Sequence, residues 1–514
     1  MDTLPTEICD HIACLLYTPR ESLGLLDEDR RGKHQRIAHL SVLSRRWQPI
    51  IEQRVFQTLN ITSSDIIDLG RIVFGKRRQF LTSLNVLIYL TEYKREMCFK
   101  YESDGERQVD NELAVAQLRR LFTLLSTWDA GSGLVLCLGF SSPSDLRFRA
   151  INERPFEHLE RKRYQNSFIT IRRTSQLPEV KCVTQFSPSS LATRDMDLCS
   201  HLTLTHCFPR ATSVSWSTRD PGILHLLRRE IRGGLVDGAE GYSSKLPAFV
   251  DKFYVSFEAP DFWDKDRLPN LISPYSYDRT SATLRKLSVS TKTFQYEGIA
   301  DSTLFWPAPE EKAPAPFWSH LTDLDIELSC QSPSGRWYFT TLDETNPFHS
   351  PESEIPLPAD SMHLAPGYGS AVETEEAVEY EDAIIELERE MDLHEGREWF
   401  RTFPNEDVIG PVVESFSKAL AQMPVLTRAN LRFCRQGNGN YMFLAYGAPG
   451  HEADYEVEPE GGELPITAPR LAVFSWDWRM DEGLKDSFQK AVLEIHGQEV
   501  VVAYLPSLYE DDVD

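Results

Sequence analysis

What most constrains the fold is an alternation: apolar runs of strand length recur along the chain, many of them separated by amphipathic segments of helix length. The run at 81–90 (LTSLNVLIYL) puts Leu84, Val86, Ile88 and Leu90 on one side of an extended backbone, whose side chains point alternately to opposite faces. Over 113–128, Val115, Leu118, Leu121, Phe122 and Leu125 return at helical spacing. The run at 134–140 (LVLCLGF) is almost continuously apolar and reads as a strand covered on both sides. Further strands are expected at 202–205, 213–216, 253–257, 284–289, 321–328, 426–433, 471–476 and 500–505, and helices at 222–231, 407–423 and 482–495. Strands alternating with helices build a mostly parallel sheet, so the fold class is α/β.

A local form, Leu-x-x-Leu-x-Val/Ile, returns in LTSLNVLI, LRKLSVS and LTDLDIEL. It resembles the strand portion of leucine-rich repeats, in which each unit adds one strand to a curved parallel sheet. The spacing between copies is not constant, so the expectation is an irregular leucine-rich-repeat-like body, with an ordinary α/β sheet domain as the alternative.

The first sixty residues have another style. Ile8, Ile12, Leu15 and Leu16 form an apolar stripe behind Pro5 and Glu7, two residue types suited to a first helical turn. Leu40, Leu43, Trp47 and Ile50 share a second stripe, and Pro49 predicts a break followed by a short helix over 50–59 carrying Ile51, Val55 and Leu59. So small a helical piece buries little surface alone and leans on another domain or a partner. The residues Leu4, Pro5, Glu7, Ile8, Ile12, Leu15, Leu40, Val42, Ser44, Arg45, Trp47, Ile51 and Phe56 resemble the F-box, in the fungal variety with a long polar link, here 18–35. The resemblance implies docking on the Skp-type adaptor of a cullin–RING (SCF) ubiquitin ligase through Leu4, Pro5, Ile8, Ile12, Leu15, Leu40, Trp47 and Ile51. The rest of the chain would present a protein client. It implies no catalytic residues and no cofactor in this chain. The alternative is a stand-alone α/β enzyme or ligand-binding domain with a helical cap.

The expected organisation is an F-box-like module over 1–60, a body over 61–340, an acidic and Pro-rich insertion over 341–397, and the remainder of the body over 398–514. The insertion begins NPFHSPESEIPLPADS and continues with an acidic segment whose narrow apolar stripe is Ala377, Ile384, Leu387 and Met391. Aromatic clusters at Phe305-Trp306-Pro307 and Phe317-Trp318, with the SGRWYF block at 334–339, resemble the body of large fungal F-box proteins and read as core wedges.

Hydrophobic content of 41% with 11% aromatic residues marks a folded chain. A net charge of −24 opposes a nucleic-acid partner. The nine cysteines include no Cys-x-x-Cys pair, and no apolar run reaches the roughly eighteen residues of a membrane span, so a cytoplasmic or nuclear location without membrane contact is expected. Chemistry is sparse. Cys199, His201, His206 and Cys207 crowd together, but a strand at 202–205 would send them to different faces, and no metal is expected. The GNGN stretch at 437–440 reads as a hairpin turn, and the basic runs at 76–78 and 161–163 as solvated faces.

Overall fold

The computed structural model describes residues 47–94, 97, 101–131, 133–145, 163–164, 167–172, 177–190, 192–221, 225–258, 267–341, 401–434, 441–453, 465–475 and 478–505. Most of the F-box-like stretch and the whole 341–397 insertion apart from its first residue lie outside them. The architecture is α/β, with a large, mostly parallel sheet of twelve strands. Apart from one gap, strands that neighbour each other in the sheet also follow one another along the chain. By compactness the chain divides into two units, residues 1–215 with 247–249, and residues 216–246 with 250–514.

In the first unit, β1 (Thr58–Thr62), β2 (Ser83–Tyr89), β3 (Leu134–Ser141) and β4 (Val183–Pro188) pair in parallel, and β4 pairs in parallel with the start of β5 (Ser213–Arg219). Their register lines up Leu59, Leu84, Leu136, Phe186 and Val214 in one apolar row. The alternate positions carry polar rungs: Asn85 Nδ2 donates to Asn60 Oδ1 at 2.6 Å, and Cys137 and Ser187 meet at 3.2 Å. The β3 run therefore differs from expectation. Val135 and Cys137 are only half-buried, because helices pack against one face of these strands and polar side chains occupy the other.

The first unit also corrects the helix boundaries. Pro49 lies inside α1 (Trp47–Val55) and does not separate two helices, since Trp47 and Ile51 share its buried face. Leu59, expected to be helical, is in β1, where pairing with β2 satisfies a backbone rich in β-branched residues. Short helices α2 (Ile66–Ile72) and α3 (Lys76–Phe80) connect β1 to β2. Helix α4 (Asp104–Leu125) begins well before the expected apolar stretch: Ser103 and Glu106 form a reciprocal capping box, worth about 1 kcal/mol, that starts it in polar sequence. Residues 202–205 form no strand. They belong to α5 (Leu198–His206), capped by Asp197, whose side chain accepts from Ser200 N at 2.7 Å. Helix α5 is buried almost throughout, which removes the one-sided periodicity that marks a surface helix.

In the second unit, β6 (Lys252–Glu258), β7 (Thr293–Gly298), β8 (Asp323–Leu328) and β11 (Arg428–Cys434) are parallel. Phe253, Phe294, Leu324 and Ala429 make one apolar row, and Val255, Tyr296, Ile326 and Leu431 the next. The other face is polar: Arg428 pairs with Asp323 at 2.6 Å and Arg432 with Asp325 at 2.8 Å. Burial alternates strictly along β7 and β8, as in a sheet covered on one side. Helices α6 (His225–Gly241), α7 (Arg279–Ser288), α8 (Glu406–Leu420) and α9 (Glu482–His496) connect strands of this unit.

The expected strand at 284–289 is the second half of α7, because Leu-x-x-Leu fits an i, i+3 helical pair as well as a strand. Antiparallel β11 and β12 (Tyr441–Gly447) pair Cys434 with Tyr441, and the GNGN stretch at 437–440 lies outside the described residues. Strands β13 (Arg470–Phe474) and β14 (Val501–Tyr504) follow, and β9 (Phe339–Thr340) pairs with β10 (Phe403–Pro404) apart from the main sheet. Among the described residues, no helix is long and apolar enough to cross a membrane.

Candidate functional site

The site begins at the end of β7. Gly298 has φ +145°, and a Cβ there would sit 2.8 Å from the Phe257 carbonyl oxygen, so only glycine brings the chain this close to the neighbouring strand. The turn carries Ile299, Ala300 and Asp301 beyond the C-terminal end of the strand, the edge at which open α/β sheets place ligands. It is held from beneath. Tyr296 Oη donates to the Ile299 carbonyl at 2.9 Å, Arg232 Nη1 donates to the same carbonyl at 3.2 Å, and Tyr338 Oη donates to the Ala300 carbonyl.

Two carboxylates meet one guanidinium here. Asp278 caps α7, accepting from Thr280 N at 3.2 Å and Ser281 N at 3.1 Å, and it also receives Arg232 Nη2 at 2.5 Å. Asp301 Oδ1 accepts from Thr303 N at 2.9 Å and Thr303 Oγ1 at 2.5 Å. Its Oδ2 takes no hydrogen bond from the described residues. The neighbouring Arg228 is engaged by Asp220 at 2.5 Å and leaves the count unchanged. Burial, reinforced by the charge of Asp278, pushes the Asp301 carboxyl up to about 7. Burial opposes the charge on Arg232, but Asp278 and the other acidic groups around it outweigh this and raise its pKa.

A cleft of about 620 Å3 opens beside Asp301. Trp306, Pro307, Ala308 and Pro309 wall it after the turn, Ser276 and Tyr277 line it ahead of α7, and Ser415 and Lys418 line it from α8. The wall is anchored. Arg285 Nη1 donates to the Thr303 carbonyl, while Arg285 and Lys286 hold Glu311 at 2.6 and 2.9 Å. Among the described residues lining the cleft, the charged side chains are Asp301, Glu310, Lys312 and Lys418, and Asp301 accepts from the Thr303 hydroxyl.

A second buried polar centre lies in the first unit. Arg194, 1% exposed, donates Nη1 to Asp110 at 2.9 Å and Nη2 to Glu102 at 2.6 Å and Ser167 at 2.9 Å, and stacks its guanidinium over the Tyr164 ring at 4.8 Å. Asp145 accepts from Ser142 N at 2.8 Å, Thr193 Oγ1 at 2.6 Å, Tyr164 Oη at 3.2 Å and Tyr93 Oη. Burial drives Glu102 up to about 7 against the pull of Arg194.

The residues singled out from sequence fare unevenly. Leu4, Pro5, Ile8, Ile12, Leu15 and Leu40 lie outside the described residues. Trp47 and Ile51 are buried on α1, a position for holding that helix in place. Cys199, His201 and His206 lie on α5 with Cys207 as its C-cap; burial pushes the Cys207 thiol up to about 12. No group of three or more metal-binding side chains occurs among the described residues. Neither basic run is simply a solvated face: Arg77 pairs with Glu52 at 2.6 Å, and Arg163 is buried against Glu106 at 2.9 Å. Phe305 and Trp318 are core wedges as expected, but Trp306 lines the cleft and Phe317 is 54% exposed. Sequence reasoning passed over Arg232, Asp278 and Asp301. The available signal was Asp278 followed by Thr280 and Ser281 ahead of Leu284 and Leu287, a helix start concealed by the strand reading of 284–289.

Compared with known proteins, the chain matches no family model, no curated protein and no solved structure.

Proposed function

We propose that the chain is the substrate-receptor subunit of an SCF-type cullin–RING ubiquitin ligase, docking a Skp-type adaptor through its first sixty residues and a protein client through its body. The observation that carries the receptor half is the arrangement of the sheet. Strands follow one another in chain order, helices cover one face of the parallel strands in each unit, and the other face of those strands carries partly exposed polar and charged rungs. A sheet of consecutive parallel strands with one uncovered face is how repeat scaffolds present binding surface, and it supports the leucine-rich-repeat-like reading over a doubly wound sheet, which buries both faces. The adaptor half rests on the Leu4, Pro5, Ile8, Ile12 and Leu40 pattern. Reaction chemistry would belong to the ligase's other subunits, and this chain would act by raising the effective concentration of a client lysine near the charged ubiquitin carrier.

The test is a pull-down of the full chain with purified Skp-type adaptor beside Ile8→Asp/Ile12→Asp. Trp47 is left intact because its side chain is buried. Capture by the intact chain, lost in a variant with unchanged circular dichroism and melting temperature, is the expected result. A folded intact chain that ignores the adaptor overturns the reading. The cleft beside Asp301 is the one observation that favours the other reading, a stand-alone ligand-binding α/β domain.

A further inference from the structure

The cleft beside Asp301 combines three properties that together define a ligand. Asp301 lines it with one carboxylate oxygen engaged by Thr303 and the other taking no hydrogen bond from the described residues. One wall is apolar, from Trp306, Pro307, Ala308 and Pro309, while the rest of the lining is largely polar, with Tyr277 ahead of α7. The cations around it are engaged by other groups. Beneath it, Arg232 donates to Asp278 at 2.5 Å. Arg285 and Lys286 hold Glu311 at 2.6 and 2.9 Å, and Lys418 pairs with Glu414 at 2.7 Å. None of them donates to Asp301 Oδ2.

We propose that this cleft binds a peptide segment through a lysine or arginine side chain, with the cationic head against Asp301 Oδ2 and the aliphatic stem along Trp306 and the adjacent prolines. A carboxylate acceptor in a largely desolvated position forms stronger hydrogen bonds to a cation than to a neutral donor. An indole in the same lining, that of Trp306, can attract the same cation, while the methylene stem of either residue covers apolar wall. An incoming cation gives Asp301 Oδ2 the ion-pair partner that Arg232, engaged by Asp278, does not supply. Near pH 7 the Asp301 carboxyl is poised between its two forms, and an incoming cation favours the ionised one. The platform needs little rearrangement, since Tyr296, Tyr338, Arg232 and Arg285 already fix the turn.

The role of this cleft in capturing a client rests on the receptor reading, whereas the binding itself does not, and the two fail separately: adaptor capture is scored without peptide, and the cleft is assayed without adaptor. The full chain is titrated by ligand-observed NMR with Nα-acetyl-arginine amide, Nα-acetyl-lysine amide and Nα-acetyl-citrulline amide, the last a neutral isostere of the first. The two cations are expected to bind at least about tenfold more tightly than citrulline, the worth of one charge-assisted hydrogen bond. Asp301→Asn keeps an oxygen for Thr303 and is expected to abolish that preference. Ala315→Arg, at an exposed point of the lining away from the buried pairs, places a tethered cation at the mouth and is expected to weaken both cations. Equal binding of citrulline overturns the proposal, as does a folded Asp301→Asn chain that keeps the preference. Should that variant not fold, unchanged cation binding in Ala315→Arg overturns it instead. Absence of binding by either cation up to about 10 mM also overturns it.

Discussion

The two units contain the same electrostatic motif in different settings. In each, a buried arginine faces two carboxylates, Arg194 with Glu102 and Asp110, and Arg232 with Asp278 and Asp301. In each, one carboxyl is forced up to about 7, because one guanidinium cannot balance two charges away from water. Around Arg194 the partners are enclosed: Ser167, the Tyr164 ring and the Asp110 contact to Thr91 N at 2.9 Å surround the guanidinium, and Glu102 Oε1, which takes no hydrogen bond from the described residues, is buried. Around Arg232 one carboxylate oxygen is left facing a cleft. The same residues thus serve as an internal brace where enclosed and as a binding surface where one edge is open.

The harshest way to break the comparison is Arg194→Met. It strands Glu102 and Asp110 in the interior, and a loss of about 3–5 kcal/mol in urea unfolding is expected at neutral pH, since a buried charge without its partner is costly. Gly298→Ala addresses the other centre. The added methyl group collides with the Phe257 carbonyl at an unfavourable φ, and a loss of about 2 kcal/mol is expected by the same measurement.

A smaller effect is expected from pH. Both raised carboxyls hold a proton in the folded chain that they release in the unfolded one between the ordinary carboxylate range and about 7. Their contribution to stability is complete below that window and is lost as pH rises through it. Subtracting the melting temperatures of Glu102→Gln from those of the parent chain over pH 4.5 to 8 isolates one group, and the difference is expected to shift in the variant's favour with rising pH. A difference that is flat in pH would mean that Glu102 stays ionised beside Arg194, making the two centres unlike. The mildest change, Arg428→Ala, removes an exposed pair with Asp323 on the polar face of β11 and is expected to cost less than about 1 kcal/mol.

Much of the scaffold could be read directly from the residues. The strands near 81–90, 213–216, 253–257, 321–328 and 426–433 are present because a period of two in apolar residues has one stable solution when one face is buried, and the one near 471–476 is a continuous apolar run buried throughout. The misread segments at 202–205 and 284–289 are both buried helices. In them Thr and Leu occupy every side, or Leu-x-x-Leu satisfies either period, so the pattern lost its power to choose. Helix α4 was legible only in part because its first turns are polar, and the Ser103–Glu106 capping box was its only local marker.

The candidate site was scarcely legible at all. Arg232, Asp278 and Asp301 are far apart in sequence and belong to no motif, and they meet only because α6, the start of α7 and the turn after β7 lie at one edge of the sheet. Periodicity and capping act over a few residues, so the chain by itself determined the α/β class and most of its strands. Which charges share an arginine, and which carboxylate oxygen is left for a ligand, depends on contacts between distant segments and on desolvation once they pack. Only the tertiary structure could decide those.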